Sequence, residues 1–201
     1  MNPEPFEEIK PMNAPQMPAR AGSAARSAVL WRIVLWQGAA IAFGLAVVWS
    51  TQRLEWVLWQ QILAFFIAKD LMAGAIGLVT PDLRAWAQRV IWRNNRGLSA
   101  FWCATHIHPL LVWVFFPCLH DFTFATRLYG MCLISALLLH RCPARFRGQC
   151  GATLAGLAAL WATQNGVPDG FGWMAFLYPA KVILCWWLPV GSLKPALDMA
   201  D

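Results

Sequence analysis

Between residues 65 and 72 the chain reads Phe65-Phe66-Ile67-Ala68-Lys69-Asp70-Leu71-Met72, which sets a cation beside an anion inside an apolar run. An ionisable side chain at bilayer depth costs roughly 2.5–3.5 kcal/mol on insertion scales, and it usually persists there only when it is paired or faces a polar cavity. The run therefore predicts a membrane-embedded helix in which Lys69 and Asp70 have a function.

The composition of the 201-residue chain is typical of membrane proteins. Hydrophobic residues make up 59% of the chain and charged residues 13%, which lies outside the usual range of soluble domains on both counts. The net charge is +6, but the basic residues stand between apolar runs rather than in one patch with exposed aromatics. This distribution argues against nucleic acid as a partner and favours membrane lipids.

Six apolar runs have about the length that is needed to cross a hydrocarbon core roughly 30 Å thick. They cover residues 28–50, 55–79, 98–119, 123–141, 150–165 and 170–191, and the fifth is the shortest. The pattern predicts an all-α fold, a polytopic transmembrane bundle of about six helices over residues 27–193. Residues 1–26, which lack the apolar core of a signal peptide, are expected to form a flexible tail, and residues 194–201 a short tail.

Basic residues predict the orientation of the bundle, because short loops rich in Lys and Arg stay in the cytoplasm. Twelve basic residues flank one side of the predicted bundle: Lys10, Arg20, Arg26, Arg32, Arg84, Arg89, Arg93, Arg96, Arg141, Arg145, Arg147 and Lys194. The opposite loops offer only Arg53 and Arg127. We therefore expect a multi-pass protein of the inner (plasma) membrane with both termini in the cytoplasm.

Residues 80–93, between the second and third runs, predict an amphipathic helix on the inner membrane surface. The segment opens with Pro81 and Asp82, a helix-start signal, and continues with apolar residues at helical spacing. Three arginines, Arg84, Arg89 and Arg93, are expected to meet anionic lipid headgroups. Docking of a partner protein or of an anionic substrate is the alternative.

Tryptophans and small residues fit the same topology. Thirteen tryptophans are present, and most lie near predicted helix ends, which is typical of an aromatic belt.

Small residues recur four positions apart in the first run (Gly38, Ala42, Ala46) and in the fifth (Gly151, Ala155, Ala159, Thr163). Such stripes let helices approach closely, so we expect both faces to be packed.

Cysteine spacing gives little indication of chemistry. None of the six cysteines forms a C-x-x-C pair, and most are interpreted as small core residues. Cys142 and Cys150 flank a basic loop and could clip a metal or form a disulfide, but a stable disulfide is not expected if that loop is cytosolic. No metal site is predicted.

Five ionisable residues are predicted to share one depth near the middle of the membrane. The second helix brings Lys69 and Asp70, the third His106 and His108, and the sixth Lys181. We expect a salt bridge between Lys181 and Asp70, with Tyr178 one turn from Lys181 on the same face. A purely structural ion pair that fixes helix register is the simpler alternative.

Two prolines lie beside these residues. Pro109 and Pro179 each interrupt a predicted helix near mid-depth, since proline removes one backbone hydrogen bond. Broken helices of this kind line binding cavities in transporters. We therefore predict that Pro109 and Pro179 act as hinges.

The predicted site carries two cations, Lys69 and Lys181, against one acid, Asp70, so it has an excess of positive charge. This favours binding or translocation of a small anionic or polar solute, with proton coupling through His106, His108 and Asp70. No catalytic motif is present, and whether the protein is an enzyme is left open.

Two other classes of function remain open. The chain could be a small accessory or assembly subunit of a larger membrane complex, with the same charges docking other subunits. It could also be a haem- or pigment-binding electron carrier or an intramembrane enzyme. Haem would need His106 and His140, whose predicted depths differ by roughly 10 Å.

Overall fold

The computed structural model describes residues 23–80, 101–116 and 122–185. All regular secondary structure in these ranges is helical, so the predicted all-α class is confirmed for them. Helix formation already begins at Ser23, four residues inside the predicted N-terminal tail. Residues 81–93 of the predicted surface helix, with Arg84, Arg89 and Arg93, and the tail 194–201 lie outside the described residues.

Six α-helical stretches follow one another in the described part of the chain. Helix α1 covers Ser23–Ser50, α2 Leu58–Val79, α3 His108–Phe115, α4 Phe122–Arg141, α5 Arg147–Gln164 and α6 Met174–Pro179. Residues 101–104 form a helical turn before α3. Short 3-10 turns, Gln52–Leu54 and Ala144–Phe146, join α1 to α2 and α4 to α5. Each predicted apolar run therefore coincides with helical structure.

Two stretches are long and apolar enough to cross a membrane by length and composition, Trp31–Ser50 and Phe122–Arg141. Two shorter apolar helices, Phe101–Phe115 and Met174–Leu184, accompany them in the described part of the chain. Large apolar side chains also remain on the surface, among them Leu35, Trp49 and Leu58, each more than two thirds exposed. These features are compatible with a membrane protein.

The chain divides into two compact units, residues 1–35 and 36–201. Of the first unit the structure describes the opening turns of α1. In the second unit the last helix continues beyond Pro179 as a π-helical segment, Ala180–Cys185. Helices α2, α4 and α5 all pack on this segment, so it forms the middle of the core.

Pro109 and Pro179 change the helices in different ways. Before Pro109 the chain leaves helical geometry at residues 105–107, and Pro109 then stands in the first turn of α3, where its missing N–H costs nothing. After Pro179 the helix stays continuous but widens into the π-helical segment. Wide turns of this kind occur frequently at functional sites.

The prediction of which face of the first helix packs is wrong, because a different set of small residues is buried. Gly38, Ala42 and Ala46 are exposed, and nothing lies within 4 Å of a Cβ placed on Gly38. The buried face instead contains Gly44, whose missing side chain makes room for the ring of Phe65. In α5 the buried face starts as predicted and then shifts by one position, to Gly151, Ala155, Ala158 and Ala162.

Candidate functional site

The ion pair predicted between Lys181 and Asp70 is present. The ammonium of Lys181 contacts Oδ2 of Asp70 and also donates a hydrogen bond to the backbone carbonyl of Asp70 at 2.9 Å. The Lys181 side chain is almost fully buried, with 4% exposed, whereas half of the Asp70 side chain is exposed. The Lys181 end of the pair therefore lies in the core, whereas the Asp70 end is exposed at the surface of α2, and we call this exposed end the open side.

Gly74 makes this pair possible. It follows Asp70 by one helical turn, and a Cβ on Gly74 would overlap the aliphatic stem of Lys181, with Cε only 2.9 Å away. Because Gly74 has no side chain, the stem of Lys181 crosses α2 directly over its backbone. The ammonium can then reach both the carbonyl and the carboxylate of Asp70.

His108 is the second partner of the Asp70 carboxylate. Its Nε2 lies 3.0 Å from Oδ2 of Asp70, the same oxygen that Lys181 contacts. The other ring nitrogen, Nδ1, is buried and has no hydrogen-bond partner in the part of the chain that the structure describes. The described residues thus leave one hydrogen-bonding position of the His108 ring unused.

His106 and Tyr178 complete the cluster. The ring of His106 is 5.6 Å from that of His108, centroid to centroid, and its Nδ1 donates to the carbonyl of Trp102 at 2.6 Å. The hydroxyl of Tyr178 donates to the backbone carbonyl of His106 at 2.8 Å. Tyr178 thus satisfies a carbonyl that is released where the chain leaves helical geometry.

The structure does not bring Lys69 to this cluster. Lys69 and Asp70 are neighbours in α2, so their side chains point about 100° apart. Within the described residues, the ion pairs of Asp70 are with His108 and Lys181, and none involves Lys69. Among the described residues, the ion pairs of the cluster therefore involve one lysine, Lys181, rather than the two that were predicted.

Metal and haem ligation were the other hypotheses for this part of the chain. Among the described residues, no group of three or more His, Cys, Asp and Glu side chains could hold a metal ion. Tyr129 in α4 contacts the carbonyl of Ala104, two residues before His106. His140 stands eleven residues further along α4, about 16 Å away along the helix axis. A haem ligand pair of His106 and His140 would have to bridge that separation.

Comparisons with protein families, with curated protein sequences and with solved structures found no match. What the site can do therefore has to be derived from its own groups.

The charges within this cluster are balanced. Lys181 and Asp70 contribute opposite charges, so the cluster is neutral while both histidines are neutral. A proton on His108 would add one positive charge next to the open side of Asp70. The sequence predicted the members of the cluster other than Trp102, whose carbonyl orients His106 and whose indole ring is 6.2 Å from the imidazole. The sequence contains no pattern that would have indicated the hydrogen bond between His106 and the backbone carbonyl of Trp102.

Proposed function

We propose that this chain is a six-span protein of the inner membrane that binds or translocates a small anionic or polar solute together with a proton. The observation that carries the proposal is the charged cluster of Asp70, His108 and Lys181 on three different helical segments. The membrane setting is supported by the two long apolar helices and by the exposed apolar side chains. The distribution of Lys and Arg supports the orientation, with both termini cytoplasmic.

Charge balance links the solute to the proton. The Lys181–Asp70 pair is neutral overall, so a solute anion gains little from it in a low-dielectric site. A proton on His108 makes the cluster positive, and an anion then neutralises it. In this scheme Lys181 and His108 hold the negative group of the solute, and Asp70 sets the charge of both. Proton and anion binding thus favour each other.

Irregular backbone in two helical regions would allow these regions to move during transport. Residues 105–107 around His106 depart from regular helix, and Lys181 lies in the wide π-helical segment. Discontinuous helices near mid-membrane are typical of transporter binding sites, where loosened backbone lines a cavity. We propose that Pro109 and Pro179 allow the two halves of each helix to tilt separately.

The test uses the full chain purified into lipid nanodiscs. Thermal unfolding is followed with a panel of probes that includes inorganic phosphate, chloride and small carboxylates such as lactate, at about pH 6 and about pH 8, on either side of the ordinary histidine range. At least one anion should raise the unfolding temperature more at the lower pH, because the proposed uptake of a proton makes the cluster positive.

Variants show whether this stabilisation arises at the cluster. Lys181→Met and His108→Gln should abolish the anion-dependent shift, whereas Arg127→Gln, a substitution at the exposed Arg127 of α4, should retain it. If no probe stabilises the protein, or if both cluster variants respond like the parent chain, the binding function is wrong. The helical fold and the ion pair itself would be unaffected by that result.

A further inference from the structure

The outer face of α2 carries the ammonium of Lys69 and one oxygen of the Asp70 carboxylate, and neither atom has an ionic or hydrogen-bond partner among the described residues. Both partners of the Asp70 carboxylate contact Oδ2. In the part of the chain that the structure describes, no hydrogen bond reaches Oδ1. Neighbouring Lys69 forms no ion pair there. The surface of α2 therefore presents one carboxylate oxygen and one ammonium at the same depth, about 100° apart around the helix.

These charges lie in the middle of the helix. Lys69 is eleven residues from Leu58 and ten from Val79, the two ends of α2, which corresponds to about 15 Å in each direction. A lysine stem reaches only part of that distance, so Lys69 cannot place its ammonium at the membrane surface by extending along the helix. In a bilayer both charges would require cover by protein.

The residues before Lys69 form an exposed seam. Trp59, Ile62 and Phe66 are 50%, 48% and 57% exposed, and their spacing of three and four continues to Lys69. This is the spacing at which one helix packs against another in a parallel pair, with Trp59 and Phe66 at one seam position and Ile62 and Lys69 at the other. Asp70 then flanks the seam.

We infer that two copies of the chain associate through this seam, α2 against α2, about a two-fold axis that runs along the membrane normal. In such a parallel pair, the side chain of residue 69 in one helix packs next to residue 70 of the facing helix. Lys69 of one copy thereby meets Oδ1 of the partner subunit's Asp70, and the symmetry repeats the contact. One dimer contact closes the open side of both clusters.

A second copy suits this face better than a different protein. The seam presents the Lys69 ammonium and the Oδ1 oxygen of Asp70 at the same depth, so it is complementary to itself, and two-fold packing gives each of these groups a partner in the other copy. The inference rests on the membrane-spanning topology proposed above, but it does not depend on solute binding. A dimer that binds no anion would leave it intact.

The first experiment counts subunits. The full chain is extracted with its surrounding lipid into polymer nanodiscs, and the copies in each particle are counted by single-molecule photobleaching of a C-terminal fluorophore. The parent chain and Lys69→Arg should give predominantly two copies. Lys69→Glu, which sets like charges against the partner subunit's Asp70, should weaken association by about tenfold or more.

The second experiment does not depend on how well Lys69→Glu folds. Phe66→Cys is oxidised in membranes with iodine, and cross-linked peptides are identified by mass spectrometry. The control, Leu160→Cys, changes an equally exposed residue of α5, 53% exposed against 57% for Phe66. We expect a link between the two copies at position 66 and none at position 160.

Three results would overturn the inference. One is a single copy per particle for the parent chain at every expression level. Another is a dimer whose population is the same in Lys69→Glu as in Lys69→Arg. The third is a Phe66→Cys variant that cross-links to a different polypeptide, since this would place another protein on the seam.

Discussion

The aliphatic stem of Lys181 lies against Gly74, at the point where any other residue would carry its β-carbon. A Cβ on Gly74 would approach Cε of Lys181 to 2.9 Å and would overlap the two carbons before it. Lys181 in turn reaches the backbone and the side chain of Asp70. The charged pair thus depends on an uncharged residue one turn away.

Gly74→Ala should destabilise the protein. The added methyl group has to displace the stem of Lys181 or push α2 away from the π-helical segment, and overpacking of this kind costs about 1–3 kcal/mol. The free energy of unfolding, measured by denaturation of the reconstituted protein, should fall by that amount. Gly156→Ala is the matched control, because nothing lies within 4 Å of its Cβ and alanine gains up to about 1 kcal/mol in a helix. Equal effects of the two substitutions would contradict the packing.

The pair of Lys181 and Asp70 should show strong energetic coupling. Asp70→Asn leaves the Lys181 ammonium without its ionic partner, and Lys181→Met leaves Asp70 with His108 alone; breaking a buried ion pair costs about 3–5 kcal/mol. Because half of the Asp70 side chain is exposed, we expect about 2–3 kcal/mol for each variant. The double variant should cost less than the sum by about 1–2 kcal/mol, as measured in a double-mutant cycle. Strict additivity would show that the two side chains do not interact.

Tyr178→Phe should destabilise the non-helical segment before α3, residues 105–107. The substitution removes the hydroxyl that donates to the carbonyl of His106 and leaves a buried acceptor without a partner, at a cost of about 1–3 kcal/mol. Hydrogen exchange of the amides at residues 105–107 should accelerate. Tyr129→Phe, which loses a similar bond of 2.7 Å to Ala104, should affect the preceding turn instead. If both variants exchange like the parent chain at these amides, the hydroxyl bonds contribute nothing to the break.

The thiol of Cys142 should react slowly at neutral pH. Burial and a hydrogen bond with the thiol of Cys150 raise the pKa of Cys142 above its ordinary value, while Arg147 acts in the opposite direction. Only the thiolate is nucleophilic, so a raised pKa lowers the reactive fraction at about pH 7, and the rate should climb as the pH rises through that pKa. Cys150→Ala removes one of the causes and should accelerate alkylation at neutral pH.

Iodoacetamide labelling followed by mass spectrometry measures this rate for the Cys142 peptide at about pH 7 and about pH 10. The ratio of the two rates should be larger in the parent chain than in Cys150→Ala. The same ratio in both proteins would mean that the Cys150 thiol has no influence on Cys142.

Much of the architecture follows from local patterns. Long apolar runs indicate helices wherever a bilayer or a core can receive them, and all six runs coincide with helical structure among the described residues. Counting residues from the ends of these runs also places Asp70 and Lys181 at one depth, because the rise of a helix per residue is constant. The ion pair could therefore be predicted before any contact was known.

Rotation of the helices could not be predicted in the same way. A helix that is apolar on every side has no strong periodic signal to show which face is buried. For this reason the packed face of α1 contains Gly44 rather than Gly38, and Lys69 stays outside the cluster although it is next to Asp70 in the sequence. The position of a residue along its helix can be counted from the sequence, but a contact also requires that the side chain points towards its partner.

The sequence by itself determined the helical class of the described residues, the pairing of Asp70 with Lys181 and the proline positions where regular helix is interrupted. Only the tertiary structure decided that His108 and Lys181 share one oxygen of Asp70 and that Tyr178 covers the carbonyl of His106. The physical reason is that composition and spacing act along the chain, whereas these contacts depend on how separate helices are rotated and packed against one another.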